Sequence, residues 1–127
     1  MGGSDGAEVT RSRVSAKKAG ASFERLVANY LAEHVDDRID RRVKTGNKDR
    51  GDIGGLRHMG QRVVIECKNT TRLSLGTWIN EVEIERGNDD AGVGLVVHKR
   101  HGKASPGDQL VTMTLADFVS LVSGGRV

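Results

Sequence analysis

Seven consecutive residues, Arg62-Val63-Val64-Ile65-Glu66-Cys67-Lys68, constrain this chain more than any other stretch. Three β-branched residues in a row predict a central strand, and the turn His58-Met59-Gly60 before them makes that strand the return limb of a hairpin. Side chains at i and i+2 leave a strand on the same face, so Glu66 and Lys68 project together while Ile65 and Cys67 face the other way. An ionised pair at the end of a buried strand is expensive unless something compensates it, and metal coordination is one such compensation.

The rest of the chain supplies elements to surround that strand. Phe23, Leu26, Val27, Tyr30 and Leu31 form the stripe of an amphipathic helix, with Ser22 as its expected N-cap. Residues 38–44 read as an edge strand, 52–56 as the outgoing limb of the hairpin, and 75–86 as a helix with Trp78, Ile79 and Val82 inward. The apolar run 92–97 predicts a strand covered on both faces, and 109–113 another strand after a loop holding Pro106. Thr114-Leu115-Ala116-Asp117 opens a last helix whose Leu115, Phe118, Val119 and Val122 are expected inward, stopped by Gly124-Gly125. The fold class is α/β, a central mixed β-sheet flanked by helices in the order αβββαββα.

With 127 residues the chain fits one domain. Residues 1–18, rich in Gly, Ser, Ala and charge, read as a flexible basic arm, leaving 19–127 as the folded unit. Neither a membrane span nor a secretory leader is visible, and Cys67 has no second cysteine to pair with, so a reducing cytoplasmic setting is expected. The formal net charge is only +3, but it is unevenly placed. Arg41, Arg42, Lys44, Lys48 and Arg50 crowd one segment and His98, Lys99, Arg100, His101 and Lys103 another, with the acidic Glu81, Glu83, Glu85, Asp89 and Asp90 between them. Two basic patches of this kind can track a phosphate backbone. The sequence leaves open whether the acidic helix faces solvent or a partner.

Asp52 opens the outgoing limb of the hairpin, so it comes to lie beside Glu66. Two adjacent carboxylates repel unless a positive charge sits between them, and hard oxygen donors suit Mg²⁺ or Mn²⁺. Zinc is disfavoured: the cysteine stands alone, and His34, His58, His98 and His101 have no ligand spacing. Glu24 sits at the margin of the first helix's buried stripe, from where its carboxylate can reach the sheet.

Gly51-Asp52, a spacer, Glu66-Cys67-Lys68 and a preceding helix carrying Phe23-Glu24-Arg25-Leu26 together resemble the PD-(D/E)XK nuclease superfamily. The likeness is greatest to archaeal-type Holliday-junction resolvases and related phage nucleases, and it spans residues 17–97. Gly51 stands where the family name has proline, and Thr45 is the nearest match to a polar residue that resolvases carry before the aspartate. The resemblance implies a restriction-endonuclease-like core. It also implies a site in which Asp52, Glu66 and the backbone carbonyl of Cys67 hold one or two Mg²⁺ ions, with Mn²⁺ as a substitute, and Glu24 completes the set directly or through water. Lys68 then positions water and counters charge on the phosphate.

The expected activity is endonucleolytic hydrolysis of branched DNA such as a four-way junction, which symmetric cleavage would assign to a homodimer. Arg41, Arg42, Lys44, Thr45, Lys48, Arg50, Lys99, Arg100 and Lys103 are the expected DNA contacts. The alternatives are a nicking, flap or restriction-like nuclease and a non-catalytic DNA-binding module of the same fold.

Overall fold

The computed structural model describes residues 12–44 and 46–127. Residues 1–11 and Thr45, and with them most of the expected arm, lie outside the described residues.

The elements follow as α1 (Arg13–His34), β1 (Asp40–Arg41), β2 (Ile53–Gly54), β3 (Arg57–His58), β4 (Gln61–Lys68), α2 (Leu75–Asn88), β5 (Val93–His98), a 3₁₀ turn (Pro106–Asp108), β6 (Leu110–Thr112) and α3 (Leu115–Ser123). They form an α/β fold on a mixed sheet ordered β1-β2-β4-β5-β6, with β3 folded back on β4. The β4–β5 pairing is parallel and the others are antiparallel. A parallel pair needs a crossover, and α2 provides it.

Alternation along β4 splits the core in two. Val63, Ile65 and Cys67 pack with Phe23, Val27 and Ala28 of α1, while Val64 packs with Trp78 and Val82 of α2. Full burial of each Val or Ile here contributes roughly 1.5–3 kcal/mol. All six residues of β5 are buried, as an apolar run covered on both sides requires.

Several boundaries differ from the sequence reading. α1 starts at Arg13, and its N-cap is Ser12, whose hydroxyl accepts the Ser15 N–H at 3.1 Å, rather than Ser22. The apolar stripe from Phe23 marks only the part of the helix that meets the sheet, so residues 13–18 of the expected arm are helical and exposed. A fourth strand, β3, precedes α2, because Met59 and Gly60 both have positive φ (51° and 82°), the backbone of a two-residue hairpin turn. The edge strand expected over 38–44 shrinks to β1.

The largest correction concerns α3. Leu115, Phe118 and Val122 were expected inward but are 77%, 49% and 62% exposed, whereas Asp117 and Ser120 are buried. Polar anchoring orients the helix: Ser120 Oγ donates to Gly92 O at 2.7 Å, and Asp117 pairs with Arg126 and lies 3.9 Å from Arg86. Among the described residues, no helix is long and apolar enough to cross a membrane.

Candidate active site

β4 carries Glu66 and Lys68 to the α2 side of the sheet, where Lys68 Nζ lies 3.6 Å from Glu66 Oε2 and 3.2 Å from Glu81 Oε2. Glu66 is 6% exposed. Asp52 reaches the same point from the neighbouring strand. Its N–H donates to Ile65 O and its Oδ2 accepts the Cys67 N–H, both at 2.9 Å, so the side chain stands in for a strand partner that the short β2 does not supply.

Gly51 makes that approach possible. Its φ is +96°, and a Cβ there would lie 2.9 Å from Val64 Cγ1 and 3.0 Å from Ile65 O. Proline, fixed near −65°, cannot adopt this backbone. A glycine at this position therefore has a local cause in the turn.

Glu24 comes from α1 on the other side. Its carboxylate pairs with Arg41 at 3.2 Å, and it shares a groove of about 520 Å³ with Asp52, Arg41, Arg42 and Lys44. Glu24, Asp52, Glu66 and Lys68 thus converge on one end of the sheet, with the Cys67 backbone beside Asp52.

The electrostatics show how little positive charge this convergence receives. Burial first, then the charges of Asp52 and Glu85, push the Glu66 carboxyl up to about 10. Burial and the charge of Asp52 also raise Glu24, against the pull of Arg41. Burial works to lower Lys68, but Glu81, Glu66 and Asp52 outweigh it and leave the ammonium's pKa raised. Burial first, then the charges of Asp52, Glu24 and Glu66, raise the Cys67 thiol, whose side chain packs in the α1-side core.

Three acidic groups beyond the expected set belong to this region. Glu81 pairs with Lys68, and the carboxylates of Asp49 and Glu85 each place an oxygen within 4.8 Å of one on Glu66 and of each other. Glu85 is 3% exposed. A signal for it was present: Trp78, Val82, Glu85 and Asp89 fall at i, i+4, i+7 and i+11 on one helix face.

The expected DNA contacts divide. Arg41 is held by Glu24, Arg42 by Asp89 at 3.2 Å, and Lys44 loosely by Asp49 at 3.8 Å. Lys48 and Arg50 are exposed and make no ion pair among the described residues. Lys99, Arg100 and Lys103 lie on the loop after β5. The Lys99 N–H donates to Lys68 O at 3.0 Å, which sets this loop at the same sheet end as the carboxylates.

His98 does not belong to the basic loop. It is 3% exposed, its Nε2 lies 2.8 Å from Thr112 Oγ1, its ring tilts against Trp78, and burial lowers its pKa.

Comparison of the chain with known protein families, with curated proteins and with solved structures finds no match in any of the three.

Proposed function

We propose that this chain is a Mg²⁺-dependent DNA endonuclease of the PD-(D/E)XK type, with a restriction-endonuclease-like core, that cleaves branched DNA as a Holliday-junction resolvase. The observation that carries the reading is Glu66: its Oε1 is buried with no hydrogen-bond partner, beside Asp52 and at the end of an apolar strand. Such an oxygen fits a hard cation and is costly without one.

Asp52, Glu66 and the Cys67 carbonyl would hold the ion, with Glu24 directly or through water. Mg²⁺ supplies Lewis acidity toward water and phosphate oxygen, and Mn²⁺ is expected to substitute. The Cys67 N–H orients Asp52, so one carboxylate oxygen is aimed before any ligand arrives. Lys68, its pKa raised, remains an ammonium at neutral pH and acts by countering phosphate charge rather than as the base. Arg41 and Lys44 in the groove, Lys48 and Arg50 beside it, and Lys99, Arg100 and Lys103 on the loop after β5 are the groups for the DNA backbone.

A four-way junction needs two such sites. Leu115 and Phe118 of α3 line one groove with Val111 of the edge strand β6; these three, with Val122 and Leu110, are exposed, and none of the five carries a charge. An uncharged face meets its own copy without repulsion, which supports a homodimer. Phe118→Asp should then yield monomers in sedimentation. The single cysteine and the absence of a spanning helix among the described residues favour work in the cytoplasm.

The test is cleavage of labelled four-way junction, linear duplex and single strand, with Mg²⁺ or chelator, by wild type and Asp52→Ala. Paired symmetric cuts in the junction by the metal-loaded wild type alone are expected. Cutting of another DNA form overturns the substrate, and binding without cutting leaves a non-catalytic module.

A further inference from the structure

We propose a second divalent-cation site, built from Asp49, Glu66 and Glu85, in which Glu66 serves both this site and the one assigned to Asp52. The ligand set is independent of the nuclease reading; the description of a two-ion centre rests on it.

Geometry comes first. Asp49 from the loop before β2, Glu66 from β4 and Glu85 from α2 each bring an oxygen within 4.8 Å of the other two. Oxygens around a Mg²⁺ with bonds of about 2.1 Å stand roughly 3–4 Å apart, so a small closure suffices.

Burial is the independent observation. Glu66 and Glu85 are 6% and 3% exposed, and Oε1 of each is buried without a hydrogen-bond partner. Lys68 is shared between Glu66 and Glu81, and Lys44 stands 3.8 Å from Asp49, but no cationic side chain forms an ion pair with Glu85 among the described residues. Buried carboxylates in this state take up either a proton or a cation.

The site is also held in place. The Gly51 N–H donates to Asp49 Oδ1 at 2.9 Å, and Asn88 Nδ2 donates to Asp49 O at 2.8 Å, tying the loop to the last turn of α2, three residues beyond Glu85. The side chain of Asp49 is 41% exposed, which gives an ion a way in. Three hard oxygens with no nitrogen or sulfur donor select Mg²⁺ or Mn²⁺.

The experiment counts Mn²⁺ bound to the full chain, by titration with electron paramagnetic resonance of the free ion, for wild type, Glu85→Gln, Asp49→Asn and Asp52→Asn. Thermal unfolding in chelator checks that each variant is folded; half-exposed Asp49 keeps the test open if Glu85→Gln does not fold. Two ions in wild type and one in each variant are expected. Wild-type stoichiometry in both Glu85→Gln and Asp49→Asn overturns the second site, with Glu66 and Glu85 sharing a proton instead. A single wild-type ion lost in Glu85→Gln and kept in Asp52→Asn supports the second site and removes the metal set of the nuclease reading. The reverse pattern retains that reading and removes this site, and no bound ion in any form removes both.

Discussion

Helix α2 takes part in two buried acidic clusters that are compensated in opposite ways. On one side, Glu83 meets Asp117, which is fully buried, and two guanidiniums, Arg86 and Arg126, close the group. On the other, Glu85 meets Glu66 and Asp49, and the half-buried Lys68, which pairs with Glu66, is turned toward Glu81 as well. Both contain a carboxylate pair with oxygens lacking a donor. They differ in charge supply. At Asp117, burial raises the pKa but Glu83, Arg126 and Thr114 outweigh it and hold it low, whereas Glu66 and Glu85 are pushed up to about 10 and about 7, in each case by burial first. One cluster is completed by the chain's own cations and holds α3 down; in the other, Glu85 has no ion pair among the described residues.

The largest effect expected from breaking this contrast is on chemistry. Glu66→Gln should reduce Mg²⁺-dependent cleavage by about 1000-fold or more while the chelated protein stays folded. Retained cleavage would place the reaction elsewhere.

Arg126→Ala tests the opposite cluster. It leaves Asp117 buried with only the more distant Arg86, and should destabilise the fold by about 3 kcal/mol in urea unfolding with Mn²⁺ binding unchanged. Loss of Mn²⁺ binding in a folded Arg126→Ala protein would show that the two clusters are not separate.

Asp117 should also respond to pH with a sign opposite to that of Glu66 and Glu85, while Glu83, raised by burial first, follows the latter two. Glu66 and Glu85 have folded pKa values above the unfolded 4.5, so their protonation stabilises the chelated protein fully below about pH 4.5. That contribution is lost as pH rises, through about 7 for Glu85 and about 10 for Glu66. Asp117, with its pKa lowered, contributes stability present above its unfolded value and lost as pH falls through the folded one. Unfolding temperature in chelator should therefore decline from pH 5 to 8, and Glu85→Gln should flatten that decline. A flat wild-type profile over this range would mean the acidic centre is not strained.

Lys44→Ala is the smallest change. Its pair with Asp49 is exposed, so stability should move by less than about 0.5 kcal/mol, while the salt dependence of DNA affinity should lose a slope of about one. An unchanged slope removes Lys44 from the DNA contacts.

What the sequence made legible follows from burial along single elements. β4 and β5 were readable because β-branched residues run without interruption, and the convergence of Asp52, Glu66 and Lys68 followed from pleat and hairpin. Glu85 was missed because it was grouped with the acidic run of its helix, whose facing was left open, although its spacing from Trp78 and Val82 put it on the inward face. α3 was misread for a related reason. An apolar stripe predicts an inward face only when no stronger polar anchor exists, and Asp117 with Arg126, nine residues apart in the chain, is an anchor that periodicity does not reveal.

Cys67 has a consequence of another kind. It is the chain's single thiol, it lies between Glu66 and Lys68 on β4, and it is packed under α1 with its pKa raised. A thiol in that position reacts with an alkylating reagent only when the helix lifts from the sheet. The protein thus carries a clock on β4, and the rate at which the native chain is alkylated measures how often the strand bearing Glu66 and Lys68 opens to water.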